Sequence, residues 1–577
     1  MMATVKTQNQ TRFRGRTPSA WNQRMAENRA VSGFLRHSVS RTDGIQDNRK
    51  IDPCMGSAHF GIYAFEVLEK IYTEYGYTER EAAASIVQNN LFGLDIDERA
   101  AQLANFAIMM KGMQYDKRFL NRGIQPYFYE IKESNHIDSH TVDYFAKGNA
   151  GLKHDIQSII NDLKDAKEYG SIIQIAPVDF DALLSRFDEI ENDIDLRKDA
   201  AIKTLLPLVQ EAKILSGKYA VVATNPPYLN KFDAKLKKYI VDNYADYKGD
   251  LFSVFIYRNF GFCERNGYSG FMTPMVWMFI KTYEPLRNYV LKNKAITTLI
   301  QFEYSAFEEA TVPICSFVLK NGKAESKGEY FRLSDFTGGM EIQRRKIKKA
   351  LANSDCGFFY ESFQDNFSKI PDAPIAYWIG ERMLACYNSK KIYDIARPCK
   401  GIDTGNNDAF LRYWTETVIN KLFLPTGQEV KDSDFNEKKW FPYNNGGDYR
   451  KWYGNNVYVL DWSNRGKKLQ NFKKSNLRNK DVYFKEGITW STVTSGNSSF
   501  RYFQPGFLFD NGGSCLFTNN DLRYIQGFLN SAVCRAFLTM QPTLNTQPGT
   551  IGSLPIKDSL VSRFFRKFNF NHRILGS

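Results

Sequence analysis

The chain has 577 residues, 43% of them hydrophobic and 15% aromatic, with a formal net charge of +14. That length accommodates two or three domains with real cores, and the positive balance favours a polyanionic partner. Eight scattered cysteines without a Cys-x-x-Cys pair argue against a zinc site or a disulfide scaffold and fit a reducing cytoplasm. No run approaches ~18 uninterrupted apolar residues, which excludes a membrane span of the helical kind.

Residues 1–50 hold ten Lys/Arg against three Asp/Glu and show neither helical nor strand period, which reads as a basic, disordered arm. Ordered sequence is expected from Ile51. Asp52-Pro53-Cys54-Met55-Gly56 is a turn leading into a helix with apolar residues at helical spacing (Phe60, Tyr63, Ala64, Val67, Leu68, Ile71). A strand, a small-residue turn and a helix N-terminus offer exposed backbone N–H groups to a ligand, and Gly56 permits close approach. After a second helix near residues 78–90, Leu91 to Asp95 reads as a strand ending in acid, with Asp97 as the N-cap of a further helix. An acid at the end of the second strand of a doubly wound fold holds ribose hydroxyls, so Asp95 points to a nucleoside-containing cofactor. The absence of Gly-x-Gly-x-x-Gly excludes the usual dinucleotide turn.

Residues 115–215 read as helical insertions around a short strand, Ser171 to Ala176. Asp179-Phe180 would then lie at the end of the third strand, where an acid and an aromatic could hold an adenine ring. Tyr219 to Ala223 is a buried parallel strand that stops at Asn225-Pro226-Pro227-Tyr228. Two consecutive prolines donate no N–H and cannot continue a sheet. The Asn225 side-chain carbonyl and the Pro226 backbone carbonyl can both accept from an exocyclic amino group, and Tyr228 offers a face for a base. Taken alone, the turn reads equally well as a rigid loop. Asp250 precedes a helix, and strands follow at Tyr268–Pro274, after Lys294 and at Val312–Leu319. The alternation from 51 to about 325 predicts an α/β domain with a largely parallel sheet. Residues 326–395 read as a helical linker containing a basic helix, Glu341 to Leu351. A mixed, β-rich domain is expected over 396–560, where Arg and Lys recur among aromatics, as suits phosphate contact with stacking. Residues 561–577 form a basic tail.

With Asp52-Pro-Cys-Met-Gly-Ser-Ala-His-Phe60, Phe92-Gly-Leu-Asp-Ile-Asp97 and Asn225-Pro-Pro-Tyr228 in this order, the chain resembles the gamma-class N6-adenine DNA methyltransferases. It is most similar to the large adenine-specific methyltransferases of BREX phage-exclusion systems, on Phe307-Glu-Glu-Ala-Thr-Val-Pro313 and Gly401 to Phe410 as well. The resemblance implies a Rossmann-like domain that binds S-adenosyl-L-methionine, followed by a target-recognition domain on double-stranded DNA. Asp52, Pro53 and Gly56 would surround the methionine portion, Asp95 the ribose, and Asp179 with Phe180 the adenine. Asn225 and Pro226 would hold the target amino group, with Tyr228 and Phe307 sandwiching a flipped-out base. No metal is implied. Other subunits of a phage-defence or restriction-modification system are the candidate protein partners. Ala58 stands where the family pattern has glycine, the segment before Asp52 is polar rather than apolar, and residues 1–50 show no counterpart of the family's upstream region. The chain therefore reads as a truncated member, so beside an active adenine methyltransferase a second alternative is a DNA-binding homologue impaired in catalysis; a third is a methyltransferase acting on protein glutamine or RNA, since both also use Asn-Pro-Pro-Tyr turns.

Overall fold

The computed structural model describes residues 44–557 apart from 192, 196, 305–311, 495 and 541–545. Most of the basic arm, the 561–577 tail and Phe307 lie outside the described residues. The chain divides into two compact units, one ending at Asp365 and a second beginning at Asn366, which also takes in Phe279–Lys281.

The first unit is built on a nine-stranded sheet: β1 (Lys50–Asp52), β2 (Leu91–Asp95), β3 (Tyr127–Glu130), β4 (Tyr219–Thr224), β5 (Cys263–Pro274), β6 (Ala295–Gln301), β7 (Ile314–Lys320), β8 (Gly328–Arg332) and β9 (Phe359–Ser362). Their order is β3-β2-β1-β4-β5-β7-β6-β8-β9. Strands β1 to β5 pair in parallel; β7 runs antiparallel between β5 and β6, and β9 antiparallel to β8. The order reverses between β1 and β4. In open α/β sheets that switch point, at the carboxyl ends of the strands, is where a ligand crevice forms.

Two expectations are corrected here. The third strand is Tyr127–Glu130, not Ser171–Ala176. The latter begins in a 3-10 turn and continues without strand pairing, because Ile172 and Ile173 are drawn into two separate apolar clusters. Nor is 326–395 a helical linker. Thr298 to Gln301 of β6 pair in parallel with Glu329 to Arg332, so residues up to Asp365 extend the first unit's sheet.

Helix α1 (His59–Glu74) buries Ala64, Phe65, Leu68 and Ile71 along one stripe, with α2 (Glu98–Tyr115) beside it. Asp97 caps α2 through Arg99 N and Ala100 N, as expected. The region between β3 and β4 is helical and includes α3 (Phe180–Glu191) and α4 (Arg197–Ser216). Packing at β2 depends on Gly93: a Cβ there would stand 2.5 Å from Met55 Sδ and 2.8 Å from a Phe128 ring carbon. Gly93→Ala should therefore destabilise the unit by about 1–3 kcal/mol through overpacking, read as a lower thermal midpoint. An unchanged midpoint would show that Met55 moves aside freely.

The second unit holds two four-stranded sheets. One joins β10 (Arg397–Cys399), β17 (Cys515–Phe517), β14 (Gly487–Thr489) and β15 (Arg501–Phe503); the other joins β11 (Leu411–Tyr413), β13 (Tyr458–Asp461), β12 (Trp440–Asn444) and β16 (Leu508–Phe509). A dense aromatic core around Phe441, Tyr443, Phe503 and Phe509 sits among them. The mixed, β-rich character read from the Gly- and aromatic-rich sequence is what the unit has. No helix among the described residues is long and apolar enough to cross a membrane.

Candidate active site

At the switch point the chain makes two turns side by side. Asp52, at the end of β1, accepts from Cys54 N at 3.0 Å and so fixes the Asp52–Gly56 turn from within. Met55 N bonds Leu94 O at 3.0 Å, and Gly56 N donates to Asp95 Oδ2 at 2.9 Å. Asp95 Oδ1 takes Asp97 N at 2.9 Å. One carboxylate thereby ties the end of β2 to the turn after β1. Gly56 adopts φ +52°, and a Cβ at that position would meet open space rather than protein. Ala58 has φ +63°, a left-handed conformation that costs an alanine about 1 kcal/mol and a glycine nothing. Its methyl is buried among α1 and α2 residues, so it does not crowd the ligand side of the loop.

The second turn leaves β4. Thr224 is buried at the strand end, and Asn225, Pro227 and Tyr228 are exposed after it, with Pro226 buried between. Tyr228 Oη donates to Asn225 Oδ1 at 2.9 Å and lies 3.2 Å from Met272 O, while its ring meets Phe252 edge-on at 6.3 Å. Partial burial pushes the phenol up to about 12, so it remains a donor at neutral pH. The exit of the turn is held by Asp250, whose Oδ1 accepts from Leu229 N at 2.9 Å while Leu251 N bonds Leu229 O. Asp250 is also the N-cap of α5 (Leu251–Phe262). It is 7% exposed, and that burial raises its carboxyl above the usual range.

Between the turns opens a cavity of about 670 Å³ lined by Asp52, Gly56, Tyr63, Thr224, Asn225 and Met272, among others. That volume is ordinary for a cofactor or small-molecule site. Burial, with the charge of Asp95 adding to it, pushes the Asp52 carboxyl up to about 7. A single carboxyl, Asp52, in a mostly apolar cavity suits a ligand that carries positive charge.

Of the residues singled out in the sequence, Asp52, Gly56 and Asn225 share this cavity, and Tyr228 is bonded to Asn225. Pro53 is buried behind it, its carbonyl accepting from Ser171 Oγ. Asp95 stands behind Gly56 rather than on the cavity wall. Asp179 and Phe180 do not come to the site. Asp179 starts α3 and accepts from Ala182 N at 2.9 Å, and Phe180 packs on the apolar cluster of the inserted helices. Their expected place rested on a strand at Ser171–Ala176, which does not form. Residues that the sequence did not single out for the site are Tyr63, Thr224 and Met272. Tyr63 was recognised only as part of an apolar helix stripe, and Met272 only as part of a strand.

Residues 89–307 match the Eco57I restriction-modification methylase family. The match spans β2 to the end of β6 and includes the Asn225–Tyr228 turn. The chain also has relatives along most of its length. The adenine-specific methyltransferase BrxX of Escherichia coli O9:H4 (strain HS) is 35% identical over 544 residues, covering 88% of this chain and 44% of BrxX. The adenine-specific methyltransferase PglX of Lacticaseibacillus casei (strain Zhang) is 35% identical over 537 residues, again 88% and 44%. The chain therefore spans less than half the length of these relatives. Among solved structures, the Type IIL restriction-modification enzyme MmeI in complex with DNA aligns with 95% of this chain and 69% of its own, at 11% identity and a TM-score of 0.49.

Proposed function

We propose that this chain carries the methyl-transfer and target-recognition portions of an adenine-specific DNA methyltransferase serving phage defence or restriction-modification, in the cytoplasm. The observation that carries the reading is Asn225, placed by a Pro-Pro turn at the switch point and opening onto the same cavity as the Asp52–Gly56 turn. The residues fit S-adenosyl-L-methionine. The cavity has adequate volume, Gly56 leaves open space where a side chain would intrude, and the Asp52 carboxyl suits a ligand bearing a sulfonium and an ammonium. Asp52 and Gly56 would face the methionine portion; Asp95 would reach the ribose only from behind Gly56. Once bound, the cofactor supplies an electrophilic methyl group.

The chain's own part is positioning and polarisation. An adenine amino group is a poor nucleophile because its lone pair is delocalised into the ring. Asn225 Oδ1 and the Pro226 carbonyl accept its two N–H bonds, turning the nitrogen lone pair toward the cavity. Asn225 Oδ1 already receives Tyr228 Oη and has a second lone pair for the substrate. Tyr228 provides a stacking face for a base that has left the duplex, which costs about a few kcal/mol of unstacking. Phe307 is the proposed opposite face.

Incubation of the full chain with tritiated S-adenosyl-L-methionine and unmethylated bacterial DNA tests the reading, with label expected in N6-methyladenine. DNA binding without label transfer would favour the catalytically impaired homologue, and label in protein or RNA would favour the third alternative. A pH dependence follows from Asp52. With the Asp52 carboxyl at about 7 before binding, a cationic cofactor binds the ionised form and releases a proton below that pH. Cofactor affinity should fall roughly 20-fold from pH 7.5 to 5.5 by proton linkage. Titration calorimetry on wild type and Asp52→Asn checks this, the variant binding more weakly and with a flatter profile. A wild-type affinity independent of pH over that window would remove Asp52 from the cofactor site.

A further inference from the structure

Helix α6 (Gly339–Ala352) lies in the β8–β9 extension of the methylase unit's sheet, and its sequence, GMEIQRRKIKKALA, carries five cations against one acid. Its orientation is set by the other face. Ile347, Ala350 and Leu351 pack on Ile300, Phe331 and Leu333, and buried Gln343 donates to Phe336 O at 2.6 Å. Lys346 is drawn down over the Phe336 ring, 3.9 Å from its centroid. Arg344, Arg345 and Lys349 are left exposed on the outer side, and none of the three has an ion-pair partner among the described residues. A solvated helix face of this length ordinarily interleaves both signs. Here the one acid, exposed Glu341, stands in the first turn and every later charge is positive.

The helix starts at the catalytic edge. Because β8 runs parallel to β6, and β6 has the direction of β4, Arg332 ends on the edge where Thr224 ends. There buried Glu303, just past β6, accepts from Gly338 N and Gly339 N at 3.2 and 2.7 Å and anchors the start of α6. Four strand spacings separate β4 from β8. At ~4.8 Å each they place the end of β8, from which the helix is reached, about 19 Å along the edge from β4, a span of five to six base-pair steps.

We propose that Arg344, Arg345 and Lys349 hold the phosphate backbone of the duplex that presents its base to Asn225. This deepens the proposed function and rests on it. The contact is independent of base sequence: it fixes where the duplex lies along the edge and adds affinity through counterion release.

The test is the salt dependence of binding of a mixed-sequence DNA duplex to the full chain, wild type against Arg344→Ala/Arg345→Ala/Lys349→Ala. The slope of log affinity against log salt should drop by about 2 to 3 in the triple variant, or about 0.9 for each phosphate that is no longer neutralised. Cofactor affinity should stay within twofold, and Arg344→Lys/Arg345→Lys should keep the wild-type slope. An unchanged slope in a folded triple variant, or an equal loss at every salt concentration, overturns the assignment of α6 while leaving the methylase reading intact. Failure of the wild-type chain to bind the duplex at all overturns both.

Discussion

Replacing Lys50 by methionine should stabilise the first unit by roughly 1–3 kcal/mol at neutral pH, the relief of the buried charge less the cost of leaving the Asn48 side-chain oxygen without its donor. Lys50 lies in β1, between β2 and β4, and is 3% exposed. Its ammonium donates to Asn48, at 3.2 Å to the backbone oxygen and 3.0 Å to the side-chain oxygen, and among the described residues no carboxylate pairs with it. Desolvation lowers its pKa from the ordinary lysine value to about 7. The folded chain therefore binds fewer protons than the unfolded chain between about pH 7 and 10.4, and stability rises with pH across that window. Below it the penalty is complete and flat. Methionine has similar length and no charge to desolvate, so the variant should melt higher at pH 7 and lose this part of the pH dependence. Thermal melts of both proteins at pH 7 and pH 9.5 decide the matter: a variant no more stable than wild type at pH 7 would mean that the ammonium reaches water.

Asn225→Ala should lower methyl transfer by roughly 10²–10³-fold, the usual cost of removing one preorganised polar contact from a reacting centre. Asn225 is exposed and follows the strand, so little stability depends on it. The change deletes the Oδ1 acceptor for the substrate amino group and releases Tyr228 Oη, which keeps only its longer contact to Met272 O. Cofactor affinity should be unchanged and DNA binding altered only a few-fold, because both are carried by other residues. Tyr228→Phe is the informative companion, since it removes the hydroxyl and keeps the stacking ring; its loss should be under about tenfold if stacking is the main role. Transfer by Asn225→Ala within tenfold of wild type would falsify the amino-group clamp.

What the sequence determined by itself was local. Pro226 and Pro227 end a strand because neither has an N–H to donate, whatever surrounds them. Asp97 and Asp250 announce helix starts because a short acceptor reaches N–H groups two or three residues on, and both do so. The order of the Asp52–Phe60, Phe92–Asp97 and Asn225–Tyr228 stretches carried the family resemblance, and the Eco57I match over 89–307 agrees with it.

Tertiary structure decided what depends on partners far along the chain. Ser171–Ala176 has strand-like composition, yet its isoleucines gain more from two helical clusters than from a ladder, while Tyr127–Glu130 becomes β3 because Phe92–Asp95 is there to pair with it. Asp179 consequently belongs to a helix start and not to the site. Residues 328–362 joined the sheet because the free edge of β6 accepted β8. The same pairing brought the start of a basic helix to the edge where Thr224 ends, and burial between β2 and β4 made Lys50 costly. Strand order, edge occupancy and burial are properties of contacts between distant segments, and no local pattern encodes them.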